Sequence, residues 1–193
     1  SLALIDLFEQ FEWEMYQEEN ETILDALREY YSTLLCDSVL PGPDDLNPAR
    51  VQSIKTLLRN TVGIDQHGLC LDCCCGTGVG SMVMESCGMH PIAYDNDESL
   101  LVRGMKAGRL KPERTMWIDG RMINRFIQKQ ASLICGFMIG EIHSFNAHIW
   151  QEIIGAACMA SDRVLFTAGT EHEINQIKDW VFGTGKKAEI FES

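Results

Sequence analysis

A chain of 193 residues with 46% apolar content can bury one sizeable core, which bounds it to one domain with a small appendage. No uninterrupted apolar run reaches the roughly 18 residues needed to cross a bilayer, and no basic-then-apolar signal pattern opens the sequence, so a membrane is not expected as a partner. The net charge of −12 sits at one end: residues 1–47 hold twelve acids and one base, and the rest of the chain nets −1, which gives no basic face to gather nucleic-acid phosphates.

Leu4, Phe8, Phe11 and Met15 follow a helical spacing over residues 2–19. A second helix is expected from about Glu21, with Asn20 as its N-cap and Ile23, Leu27, Tyr30 and Leu34 along one side. Pro41-Gly42-Pro43 ends that pattern, and Asn47-Pro48 opens a third helix with Val51, Ile54 and Leu58 as its stripe. Residues 1–47 therefore read as an acidic helical segment and 48–193 as the main domain. The apolar stripes are expected to dock on that domain with the acids in solvent. The sharper alternatives are a cover that attracts a cationic substrate or basic protein, and an interface that pairs with another subunit.

The chain turns on Leu69-Cys70-Leu71-Asp72-Cys73-Cys74-Cys75-Gly76-Thr77-Gly78-Val79-Gly80-Ser81, an apolar run that breaks into glycines and then becomes helical. It reads as a strand, a nucleotide-binding turn and a helix start, with glycines that let a ligand approach the main chain. A second strand, His90 to Asp95, ends in an acid 19 positions after Gly76, the interval that puts a carboxylate on a ribose hydroxyl pair. Asp97 can cap a helix that buries Leu100, Leu101 and Met105. A third strand-like run, Arg114 to Trp117, leads to Ile118-Asp119-Gly120. Ala131 to Ile139 is apolar without alternation, as in a strand covered on both faces, and is expected beside strand 1. A helix to about Met159, a strand at 163–169, a helix from Glu171 to Phe182 and a last strand at 187–191 complete the series. Strands alternating with helices predict an α/β fold, a doubly wound and mainly parallel sheet.

On these residues the chain resembles the class I, Rossmann-like S-adenosylmethionine-dependent methyltransferases over about residues 50–170. Asp72 with Gly76-Thr77-Gly78 resembles the family's first motif, Asp95 its ribose acid, and Asp119-Gly120 its third cofactor motif. The family's glycine two places after the first acid is Cys74 here. The resemblance implies S-adenosylmethionine as cofactor, held by Asp72, Cys74, Gly76, Thr77, Gly78, Asp95, Asn96, Asp119 and Gly120. It also implies direct displacement of the methyl group onto an acceptor near the loop after strand 4. In that loop His143 is the first candidate base and Glu141 the second. No Asn/Asp-Pro-Pro-aromatic loop stands there, and with the acidic charge this favours a small molecule or protein side chain as acceptor.

Two other readings stay open. Gly76, Gly78 and Ser81 approximate a dinucleotide fingerprint, which would make the chain a nicotinamide-dependent oxidoreductase; a non-catalytic cofactor-binding module is the other. Eight cysteines, three of them adjacent and others inside apolar runs, suggest free thiols in a reducing cytoplasm; Cys70-x-x-Cys73 has a metal-ligand spacing but lacks the second pair that a structural zinc site needs, so no metal is expected.

Overall fold

A computed structural model describes residues 17–63 and 68–191. Its elements are α1 (Asn20–Ser38), α2 (Pro48–Thr61), β1 (Cys70–Cys73), α3 (Val79–Ser86), β2 (Pro91–Asp95), α4 (Glu98–Lys106), β3 (Thr115–Trp117), β4 (Leu133–Gly136), α5 (Ala147–Ala160), β5 (Val164–Phe166) and α6 (Glu171–Gly183). A 3-10 turn at Gly120–Arg125 follows β3. The strands form one sheet in the order β3-β2-β1-β4-β5, and every pair is parallel.

Side chains of a strand alternate between faces, and here both faces are covered. Cys70, Leu133 and Cys135 point to α2 and α3, where they meet Ile54, Leu58, Val79, Val83 and Met84. Leu71, Cys73, Tyr94 and Ile134 point the other way, onto Ile123 and the Ile153–Ala160 side of α5. Ala93 faces Leu35 of α1 and Leu101 and Val102 of α4. Helix α6 leans on α5 through Ile177 and Val181.

Local capping set two of the helix starts as expected. Asn47 accepts from the Ala49 and Arg50 amides, and Asp97 from those of Ser99 and Leu100. Helix α3 starts at Val79, two residues before Ser81, because left-handed Gly78 is its cap. In α4 the fully buried residues are Leu101, Val102 and Gly104, while Leu100 and Met105 are half-buried.

Three expectations need correction. Asn20 lies inside α1, and the cap position is Glu19, which makes no side-chain cap bond. The Ile23–Leu34 stripe does not dock: α1 buries Arg28, Ser32 and Leu35 instead. Ser32 donates its hydroxyl to the Thr115 carbonyl on edge strand β3, Arg28 pairs with Asp25 at 2.6 Å, and Leu35 enters the core, so the apolar stripe is left on the outside. Residues 187–191 form no strand: Ala188 packs as a side chain on the cluster of α5, α6 and β5, and the segment adds no ladder to the sheet. The helix expected over 2–19 falls mostly outside the described residues, and 17–19 are not helical.

Candidate functional site

Strand order reverses between β1 and β4, and in open parallel sheets the crevice beyond the carboxyl ends at that place receives ligands. The turn after β1 opens there. Cys74 takes a left-handed backbone at φ +53°, as do Gly76 at +53° and Gly78 at +76°. A side chain costs about 1–2 kcal/mol in that conformation, so Cys74 carries strain that glycine would not. Its thiol lies 3.7 Å from that of Cys73 and packs against the Leu71–Tyr94 cluster. The Cys73 hydrogen bond and burial hold the Cys74 thiol well above its usual range.

The two turn glycines differ in what surrounds them. A methyl group on Gly76 would meet only Leu100 Cδ1 at 4.0 Å, whereas one on Gly78 would lie 2.5 Å from Leu110. Gly76 therefore borders open space that a ligand can use. Gly78 is needed for the close approach of Leu110.

Asp95, at the end of β2, accepts from the Gly76 amide through Oδ2 and from the Asp97 amide through Oδ1, both at 2.8 Å. Each oxygen keeps a further lone pair. Burial raises its pKa, partly offset by those amides. Asp72 is on the α2–α3 face of β1, below the turn, where Oδ2 accepts from Ser81 Oγ at 2.6 Å and Oδ1 has no protein partner. Complete burial pushes its pKa up to about 7. It lies under the turn and is 1% exposed.

Asn96 uses its carbonyl to accept from Trp117 Nε1 at 3.1 Å. Asp119 caps the 3-10 turn and grips Arg121 through Nε at 3.0 Å, which holds the carboxyl below its usual range. Arg121 also reaches Glu152 at 3.2 Å. Gly120 is buried against Ile153 and Tyr94.

After β4 the chain turns at Met138, φ +55°, into the expected acid–base loop. Asn146 ties the loop to itself, accepting from the His143 amide at 2.7 Å and donating to the Glu141 carbonyl at 2.9 Å. Glu173 of α6 anchors it from behind by accepting the Ile142 amide at 2.9 Å. His143 Nε2 lies 3.1 Å from Glu141 Oε2, and its ring stacks on Phe145 at 5.3 Å. Thus Gly76, Asp95 and their neighbours meet at one end of the sheet, and the Glu141–His143 pair stands at the same end beyond β4.

With that geometry the chain can be set beside solved structures. One neighbour, provisionally assigned as an RNA methyltransferase of Pyrococcus horikoshii, aligns over 82% of this chain and 83% of its own, with TM-score 0.58 and 14% identity. The magnesium protoporphyrin IX methyltransferase of Synechocystis PCC 6803, solved with S-adenosylmethionine bound, aligns over 89% and 88%, with TM-score 0.54 and 13% identity. The fold is that of Rossmann-like methyltransferases. An S-adenosylmethionine-dependent methyltransferase of Clostridium acetobutylicum aligns over 80% of this chain and 61% of its own, with TM-score 0.50 and 15% identity. No family model and no curated protein matches the sequence.

On this methyltransferase fold, sequence reasoning missed a strap at residues 41–47. The Gly42 amide donates to the Ser99 carbonyl at 2.8 Å, and Arg103 returns a bond to the Gly42 carbonyl at 2.7 Å. Arg109 joins Asp44, at 2.9 Å, to the Thr77 carbonyl, at 2.8 Å. Asp45 accepts from Thr77 Oγ1 and from Arg50 at 2.7 Å, and Arg50 continues to the Phe137 carbonyl at 3.2 Å. The strap thus fastens the glycine turn to the residue after β4. Adjacent acids between Pro43 and Asn47 were the only local sign of it.

Proposed function

We propose that the protein is an S-adenosylmethionine-dependent methyltransferase that acts on a small molecule or a protein side chain. The observation that carries the reading is Asp95: a buried carboxylate at the end of β2, bonded to the Gly76 amide beside open space, with lone pairs to spare. A vicinal diol fits those lone pairs, and the Gly76 main chain fits a ligand laid over the turn. The cofactor supplies a methyl group on a sulfonium sulfur, transferred by direct displacement.

For such a displacement the chain has to align the partners, exclude water and accept a proton from the acceptor where one must leave. Thr77, Gly78, Asn96, Asp119 and Gly120 complete the proposed cofactor rim. Cys74 and Asp72 act from the core side of the turn. If Glu141 holds the Nε2 proton of His143, the lone pair is on Nδ1, the atom proposed to take the acceptor's proton. The acidic segment 1–47 is proposed as cover for a cationic acceptor, and a cytoplasmic setting belongs to the same reading. RNA is the competing acceptor, because the Pyrococcus neighbour is assigned to it.

Calorimetric titration with S-adenosylmethionine, S-adenosylhomocysteine and reduced nicotinamide dinucleotide tests the reading. Binding of the two sulfur ligands, followed by methyl transfer to amines or acids in preference to RNA, is the expected result. Binding of the nicotinamide alone would install the oxidoreductase, and cofactor binding without turnover on any acceptor the non-catalytic module.

A further inference from the structure

Helix α1 is apolar on the side that faces away from the molecule. Ile23, Leu27, Tyr30 and Leu34 are 46, 47, 63 and 52% exposed, while the same helix buries Arg28, Ser32 and Leu35. Spacings of four, three and four put the four side chains in one stripe, about 16 Å long. Tyr31 widens it, set edge-on to Tyr30 at 5.3 Å. An open depression of about 440 Å³ lies beside the Tyr30–Leu34 half of the stripe, lined also by Ala26 and Thr33, with the carboxylates of Glu29 and Asp37 among its lining.

A single exposed leucine needs no explanation. A helix that buries a serine and an arginine while it exposes four large apolar side chains in register has a second surface to cover. We infer that this stripe docks a basic amphipathic helix of another protein, with apolar side chains at helical spacing and Lys or Arg along its flanks.

The charge around the stripe selects that occupant. Glu29 and Asp37 border it on α1, while Asp25 is held by Arg28 at 2.6 Å and Glu21 by Lys129 at 3.3 Å. A second copy of α1 would lay acids on acids along the contact. A basic helix would meet Glu29 and Asp37 beside the stripe and bring cations to the exposed faces of Tyr30 and Tyr31. Apolar anchors in a groove with charges on its rim are how helical segments are recognised in general. The inference stands apart from the proposed activity.

The test titrates the full chain, at about 0.15 M salt, with three synthetic peptides of about 18 residues. One is a Leu/Lys amphipathic helix, one a scrambled isomer of the same composition, one a Leu/Glu helix. The Leu/Lys helix is expected to bind at least tenfold more tightly than its scramble, and the Leu/Glu helix not to bind. Leu27→Gln with Tyr30→Gln, at exposed positions, should weaken the Leu/Lys helix at least tenfold. Glu29→Gln with Asp37→Asn, which leaves the stripe intact, should weaken it severalfold and lessen its salt dependence.

Equal binding of the scramble would reduce the effect to bulk charge and overturn the inference. Binding unchanged by the stripe variant, or no binding at all, would overturn it too. A dimer in sedimentation that the stripe variant dissociates would assign the surface to a second copy.

Discussion

The Asp95 carboxylate and the Gly76 amide, 19 residues apart, are joined by a 2.8 Å hydrogen bond that ties the end of β2 to the turn after β1. One side chain therefore shapes the turn and, in the proposed reading, also binds the cofactor. Asp95→Ala should remove both contributions. Loss of a charge-assisted acceptor costs about 1.5–3 kcal/mol, so affinity for S-adenosylhomocysteine should fall roughly ten- to hundredfold. The Gly76 amide should exchange its hydrogen faster in the same variant. Unchanged exchange with lost affinity would mean that Asp95 serves the ligand alone.

The two turn glycines should separate binding from stability. Gly76→Ala meets open space, so its folding cost is the left-handed backbone alone, about 1–2 kcal/mol, while its methyl group obstructs the ligand. Gly78→Ala adds a 2.5 Å contact with Leu110 to the same backbone penalty. We expect it to cost about 2–4 kcal/mol in denaturant unfolding. If both variants unfold alike, the Leu110 contact is not limiting.

Asp72 gives the protein a pH signature. Its folded pKa of about 7 lies above its ordinary 3.8, so the folded state holds a proton that the unfolded state has released between those values. Stability from this group is full below about pH 4 and is lost as pH rises to about 7, by an amount on the order of 4 kcal/mol at most. Asp95, also raised by burial, adds the same sign. Asp97, Asp119 and Glu173 are held low by hydrogen bonds, and their contribution is lost only as the solution becomes more acidic than their ordinary range. Urea unfolding at several pH values should show the decline, and Asp72→Asn should flatten it. A parent protein whose stability rises from pH 5 to 7 would contradict the assignment.

His143 and Glu141 form an exposed pair, and exposed pairs contribute little to stability. His143→Ala should change unfolding free energy by no more than about 0.5 kcal/mol and leave cofactor affinity intact. Turnover should fall by about 10²–10⁴ where the acceptor must lose a proton. Glu141→Gln, which leaves the imidazole without its carboxylate, should show a smaller loss. Near-normal turnover in His143→Ala would remove the pair from the mechanism.

Much of this architecture was legible in the residues. The apolar run at β4 implied a strand covered on both faces, and the glycines at 76 and 78 after the Leu69–Cys75 run implied the turn. Asn47 and Asp97 cap helices through atoms only two or three residues away, which is why they could be read locally. The length of the expected fourth strand was less legible, because Phe137 and Met138 are as apolar as the strand before them and only the left-handed turn at Met138 ends it.

Sequence by itself determined the strand–turn–helix at 70–86, the alternation of strands and helices, and the arrival of Asp95 at the turn, because each depends on neighbours in the chain or on the period of the apolar pattern. Only the tertiary structure decided which way α1 faces, because Ser32 and Leu35 found partners in Thr115 and the Ala93 cluster that no local pattern encodes. It also decided that Asp72 turns down to Ser81, that Arg121 occupies Asp119 and that Asp44 and Asp45 strap Thr77 in place. A carboxylate's partner is whichever donor the fold brings within about 3 Å, and that distance exists only once the sheet has closed around it.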